Sequence, residues 1–255
     1  MASSLGTLHY FDHNLQVHRV VVGPYANNVF VVRCLHTGEA VLIDAANEHE
    51  KLLELCTTLG VTKVLETHGH HDHIQAVPAM REAGYEVAVM NEDAKMLADV
   101  GYDVFIDHAE VIEVGRLRLH TLHTPGHTAD HLCLFDPETG TLLSGDHVLP
   151  TITPHISGLT AHGDPLTLFF DSLDKIGAFS SQVKVSLPAH GTPFTNTGER
   201  VQQIKDQYGN DENRSKLELP FHAEAFVQRI LKELQEAVDH QKSTADELMK
   251  ASATA

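Results

Sequence analysis

Alternating apolar and polar positions dominate the first fifth of the chain. The runs LHYF (8–11), VHRVVV (17–22), NVFVVRC (28–34) and AVLID (40–44) are rich in β-branched and aromatic residues. Gly, Asn and Pro separate them, which predicts a meander of antiparallel strands. The spacing then changes. Asn47, with Glu50 three residues later and KLLELCTTLG running to Gly60, has the form of a capped amphipathic helix. VTKVLET predicts a buried strand, and HGHHDH follows it at once. IQAVPAMREAG has helical spacing, with Pro78 expected to kink the helix or delay its start. YEVAVM predicts a strand, and Asn91 a cap for EDAKMLADVG. A second strand series follows in VIEVG, LRLHTLH, HLCLFD and TLLSGD. Asp164 and Pro165 open a helix over LTLFFDSLDKIGAF, and VKVSLPAH returns as a final strand.

Two β-rich halves, each finished by helices, predict an α/β fold of two sheets packed face to face with helices outside. From about Thr197 the chain turns polar, and FHAEAFVQRILKELQEAVDH has helical spacing. Residues 1–196 are therefore expected to form the main domain and 197–255 a helical C-terminal extension. Phe221 and Phe226 of the extension are candidates for the wall of a cleft, for core packing or for a homodimer contact.

The chain has 255 residues, 42% of them hydrophobic, enough for a full core. A formal charge of −17 argues against nucleic acid and anionic membranes as partners. No run approaches the roughly 20 apolar residues that span a bilayer. The N-terminus lacks the basic and apolar regions of a signal peptide. Cys34, Cys56 and Cys133 each sit in an apolar stretch and read as buried free thiols. A cytoplasmic location is the expectation.

Histidine, with 20 copies, exceeds Lys and Arg together. His68, His70, Asp72 and His73 crowd into six residues immediately after a strand, where one segment can feed two adjacent metals. His127, Asp146 and His190 each lie just past another strand, and strand ends on one sheet edge converge in space. Imidazole with carboxylate suits zinc, and iron or manganese stay open.

These motifs resemble the metallo-β-lactamase superfamily over roughly residues 15–195. THGHHDH fits its THxHxDH signature, and TPGHTADH, SGDHV and LPAHG fit its later ligand motifs in order. The resemblance implies a four-layer αβ/βα metallo-β-lactamase sandwich and two metal ions. His68, His70 and His127 would hold the first ion, Asp72, His73 and His190 the second, and Asp146 would bridge both. Asp44, in VLIDAA, would orient the ligand loop.

The implied activity is that of a dinuclear zinc hydrolase attacking the carbonyl of a small acyl substrate, an ester, thioester or lactone, with a metal-bridging hydroxide. Asp72 and Asp146 would take part in catalysis. His131 would act near the leaving group or serve as a structural hydrogen-bonding residue. His71 is expected to face away, and His123, His147, His155 and His162 are candidates to line the cleft. The chain lacks the Gly-Cys-Gly-Arg segment and basic C-terminal residues of true glyoxalase II. It also lacks the Gly-Arg-Thr-Asp segment of persulfide dioxygenases, and Phe169 and Phe170 stand where acyl-homoserine lactonases carry a Tyr. A mononuclear iron persulfide dioxygenase, a β-lactam hydrolase and a non-catalytic metal-binding sensor are the alternatives.

Overall fold

The computed structural model describes residues 14–91, 97–107, 109–156 and 164–209, and the backbone of 7–11. Up to Gln207 these belong to one compact unit. The expected helices beyond residue 209, with Phe221 and Phe226, lie outside the described residues. So do His162 and the first half of the helix expected after Asn91.

Seven strands form the first sheet in sequence order: β1 (Thr7–Phe11), β2 (Leu15–Val22), β3 (Asn27–Cys34), β4 (Ala40–Ile43), β5 (Val61–Leu65), β6 (Glu86–Met90) and β7 (Val104–Ile106). The meander β1–β4 is antiparallel, and β4–β7 are parallel. The second sheet has the order β12-β11-β10-β9-β8, from β8 (Val111–Val114), β9 (Leu117–His123), β10 (Leu132–Asp136), β11 (Thr141–Gly145) and β12 (Val185–Pro188). β7 was not expected from the sequence, because three residues are too short a run to show a period.

Strand periodicity divides the interior in two. Along β3, Val29 and Val31 join one core with Leu52, Leu55 and Cys56 of helix α1 (His49–Leu59). Their neighbours Phe30 and Val32 face the other way, into a core shared with Leu119, Leu134 and Leu187 of the second sheet. A strand buried on both faces needs apolar residues at odd and even positions, as β3 and β4 have. Against the second sheet lies helix α4 (Pro165–Phe179), with Phe169, Leu173 and Ile176 buried at helical spacing and Phe179 stacked on Phe135 at 4.8 Å. The layers are thus αβ/βα, as the sequence implied.

Local signals fared unevenly. Asp164 caps α4 by accepting the Thr167 N–H at 3.0 Å, and Pro165 opens it. Two short helices, α2 (His71–Ile74) and α3 (Val77–Glu82), replace one helix around Pro78, which sits in the first turn of α3. The Asn47–Glu50 capping box does not form. Glu48, in a left-handed conformation, precedes α1, and Asn47 accepts its N–H at 2.7 Å while its amide turns to Gln75. Helix α5 (Thr197–Tyr208) starts where the sequence turns polar, and its buried Arg200 donates to the carbonyls of Leu149 and Ile152. No helix among the described residues is long and apolar enough to cross a membrane.

Candidate metal centre

The segment after β5 changes conformation in the middle of its motif. His68 and His70 lie in the irregular chain between β5 and α2, with their rings 4.8 Å apart on one side. His70 then begins α2, and one helical turn carries Asp72 and His73 to a second point while His71 faces solvent. Three strand ends supply the rest: the loop after β9 gives His127, the end of β11 gives Asp146, and the end of β12 gives His190.

The structure brings all seven predicted donors together. Potential ligand atoms of His68, His70 and His127 lie within 4.8 Å of one another, as do those of Asp72, His73 and His190, and those of His68, His73 and Asp146. Asp146 Oδ2 stands 3.5 Å from His127 Nε2 and 3.6 Å from the Nε2 atoms of His73 and His190, facing both sets.

Hydrogen bonds outside the cluster fix which ring nitrogen points inward. Nδ1 of His73 donates to Asp44 at 2.9 Å, Nδ1 of His127 to the His155 carbonyl at 2.6 Å, and Nδ1 of His190 to the Tyr25 carbonyl at 3.2 Å. Thr67 gives its hydroxyl proton to Asp44 and accepts from His68 Nδ1 at 3.1 Å. Each of these four rings thereby turns its Nε2 to the centre, while His70 faces His68 Nε2 with its Nδ1, 3.0 Å away. Asp44 also accepts the Thr67 N–H at 2.7 Å, and it adopts φ 62° at the end of β4 to do so. Left-handed backbone is costly for a residue other than glycine and is held by these bonds.

The electrostatics suit cation binding. Burial, aided by the neighbouring imidazoles, holds His68 well below the usual histidine range and His70 at about 4, so both are neutral and able to ligate. Burial alone would raise Asp72, but the His190 hydrogen bond and the His73 charge keep it below the ordinary carboxylate range. Burial opposes a charge on His73 too, yet the nearby carboxylate of Asp146 and the hydrogen-bonded carboxylate of Asp44 raise it well above the usual range. Nε2 of His73, Nε2 of His127 and Oδ1 of Asp146 are buried without a hydrogen-bond partner. Orphaned polar atoms of this kind are rare. Here they converge, and a cation would satisfy them, so the donor set fits metal ions.

The remaining histidines divide by placement. His131 is fully buried; it accepts the Asp146 N–H at Nε2, 3.1 Å away, and Nδ1 faces Thr124 Oγ1 at 2.8 Å. Both nitrogens of His131 are thus engaged by Asp146 and Thr124. Its closeness requires Gly145, with φ 49°, whose added Cβ would stand 2.6 Å from His131 Nε2. His147 is buried against Phe169 at 4.7 Å. His123 contacts the Ala129 carbonyl at 2.7 Å. His155 contributes its carbonyl, which accepts from His127 Nδ1. Residues that sequence reasoning missed include Thr67, Tyr25 and Asn27. Two of these left a signal, Thr67 as the first residue of THGHHDH and Asn27 as an asparagine opening an apolar strand.

A family model described as the metallo-beta-lactamase superfamily matches residues 22–185. The chain belongs to the metallo-beta-lactamase superfamily. Within it, a hydroxyacylglutathione hydrolase from Polaromonas sp. (strain JS666) is 38% identical over 136 residues, 51% of this chain and 51% of that protein. An atrochrysone carboxyl ACP thioesterase from Aspergillus fumigatus is 28% identical over 180 residues, 68% of this chain and 54% of that protein. The chain thus spans about half the length of these two curated relatives. A crystal structure of a protein in a di-iron-bound form is 27% identical, with a TM-score of 0.59, covering 71% of this chain and 96% of that one.

Proposed function

We propose that this metallo-beta-lactamase superfamily member is a hydrolase that cleaves an acyl bond, a thioester before an ester or lactone, using two metal ions. His68, His70 and His127 hold one ion and Asp72, His73 and His190 the other, with Asp146 shared. The observation that carries this reading is the position of Asp146 Oδ2, within 3.6 Å of imidazole nitrogens from both sets. Zinc suits five imidazoles and two carboxylates, and the same donors accept iron or manganese. The similarity to a di-iron-bound protein supports a pair of ions. The thioester preference is supported by the two curated relatives, one named for an acylglutathione and the other a thioesterase.

Bound there, a pair of cations would polarise a carbonyl oxygen and make water nucleophilic near neutral pH. The side chain of Asp72 is a quarter exposed and its carboxylate stays ionised, so it can accept a hydrogen bond from the attacking water and orient it. His131 holds the backbone of Asp146, and Asp44 and Thr67 hold the rings of His73 and His68. A cysteine nucleophile is not required, since Cys34, Cys56 and Cys133 are all buried.

The test is a panel of thioesters, esters, lactones, β-lactams and phosphodiesters, run on protein of measured metal content. Thioester hydrolysis proportional to occupancy is expected. One iron per chain with oxygen consumption on a persulfide would replace this reading with a dioxygenase. Full occupancy with no turnover on any substrate would replace it with a metal-binding protein that lacks catalysis.

A further inference from the structure

Building on the two-cation reading, we propose that Asn27 is the positioning residue that makes the Asp72–His73–His190 set competent to hold its ion, and that it acts on that set alone. Asn27 opens β3 and is 1% exposed. Asparagine is disfavoured in strands, and a buried amide is stable only where it finds partners. Its Nδ2 lies 3.0 Å from Asp72 Oδ2 and 3.5 Å from His190 Nε2. A carboxylate ionised at that point can only accept, so the amide donates to it.

The placement joins two ligands that are distant in the chain. Asp72 sits in the single turn of α2, and His190 at the end of β12. The backbone of Asn27 forms an antiparallel bridge with His190. The next residue, Asn28, fixes the same turn: its N–H donates to the Ala189 carbonyl at 2.7 Å, and its amide donates to the carbonyls of Pro188 and Gly191 at 2.8 and 2.7 Å. Arg19 in turn donates to Asn28 Oδ1 at 2.7 Å. The start of β3 therefore sets the approach of His190 through the backbone and the orientation of Asp72 through one side chain.

Asp72 depends on that side chain more than its partners do. His73 is anchored by Asp44 and His190 by the Tyr25 carbonyl, each through the nitrogen facing away from the cluster. Among the described residues, the other side chains recorded against the Asp72 carboxylate are His73 and His190, at 3.5 and 3.4 Å, which are themselves candidate ligands. Once those imidazoles turn their lone pairs to a cation, Asn27 is the side-chain donor that still holds the carboxylate. It has no recorded contact with His68, His70 or His127. Its removal should therefore weaken one ion and spare the other.

The experiment is a cobalt(II) titration of the full chain stripped of metal, followed by visible absorbance and calorimetry, for wild type, Asn27→Ala and Asn27→Leu. The leucine variant fills the same space without a donor, and melting of each metal-free protein reports folding separately. Wild type should take up two equivalents. Both variants should bind the first with unchanged affinity and the second about 10–100-fold more weakly, the usual cost of losing a residue that orients a ligand. Equal weakening of both ions, or no weakening in a variant that melts like wild type, overturns the role of Asn27. A variant that binds no cobalt while melting far below wild type also overturns it, since Asn27 would then support the fold. Fewer than two equivalents in wild type overturns the two-cation reading itself, so the two failures are distinguishable.

Discussion

Four of the seven donors come from residues 68–73, and one buried carboxylate braces that stretch: Asp44 accepts from His73 and from both donors of Thr67, which in turn holds His68. His127, Asp146 and His190 come instead from three strand ends and are braced by backbone. The carbonyls of His155 and Tyr25 hold two of the rings, and a His131 ring supports the Asp146 N–H. Glycines let these dispersed parts approach. An added Cβ on Gly126, with φ 136°, would meet the Phe169 backbone of α4 at 2.4 Å. The contiguous segment is thus held by charge and the dispersed one by steric fit. A short motif can carry its own orientation if it has one ionic anchor, whereas ligands on separate strands depend on the packing of whole elements.

The largest expected effect comes where the two regions meet. Asp146→Ala should retain the fold but lower kcat/KM on the preferred thioester by about 1,000-fold or more, with a loss of bound metal. A rate within tenfold of wild type at measured occupancy would place the chemistry elsewhere.

Next is the ionic brace. Asp44→Ala leaves two Thr67 donors and His73 Nδ1 without an acceptor in a buried site, a loss of about 3–5 kcal/mol. Urea unfolding of metal-free protein measures it, and a loss under about 1 kcal/mol would mean that the contiguous segment orients itself without Asp44.

Gly126→Ala tests the steric side. Strained φ and overlap with α4 should cost about 2 kcal/mol, visible as a lower Tm. Wild-type melting would show that α4 yields and that the dispersed ligands are less tightly fitted than the contiguous ones.

The smallest effect should come from neither region. Burial pushes the thiols of Cys56 and Cys133 up to about 12, so they should react with an aromatic disulfide reagent about 100-fold more slowly in the native protein than in urea. Rapid labelling on metal removal alone would reveal that the braces also hold the sheets closed.

Much of the site was legible because ligands at strand ends leave local marks. HGHHDH, TPGH, SGDH and LPAH each stand beside an apolar strand, and the strands themselves show the expected period. The capping box failed because Asn47 Oδ1 accepts the Glu48 N–H, so α1 starts one residue later, behind Glu48 and not behind Asn47. Strand β7 was invisible because its order comes from pairing with β6 and not from its own three residues. His131 could not be assigned from the sequence, since a histidine four residues after a ligand looks the same whether it faces a cleft or holds a turn.

By itself, then, the sequence determined the donor types, their order and the two layers of strands that carry them, because hydrophobic period and ligand chemistry are properties of short segments. Only the tertiary structure decided which atoms meet. The inward Nε2 of His127 and His190 depends on the His155 and Tyr25 carbonyls, and Asn27 reaches Asp72 because β3 runs beside the end of β12. Hydrogen-bond direction is fixed by groups far apart in the chain, and no local pattern records it.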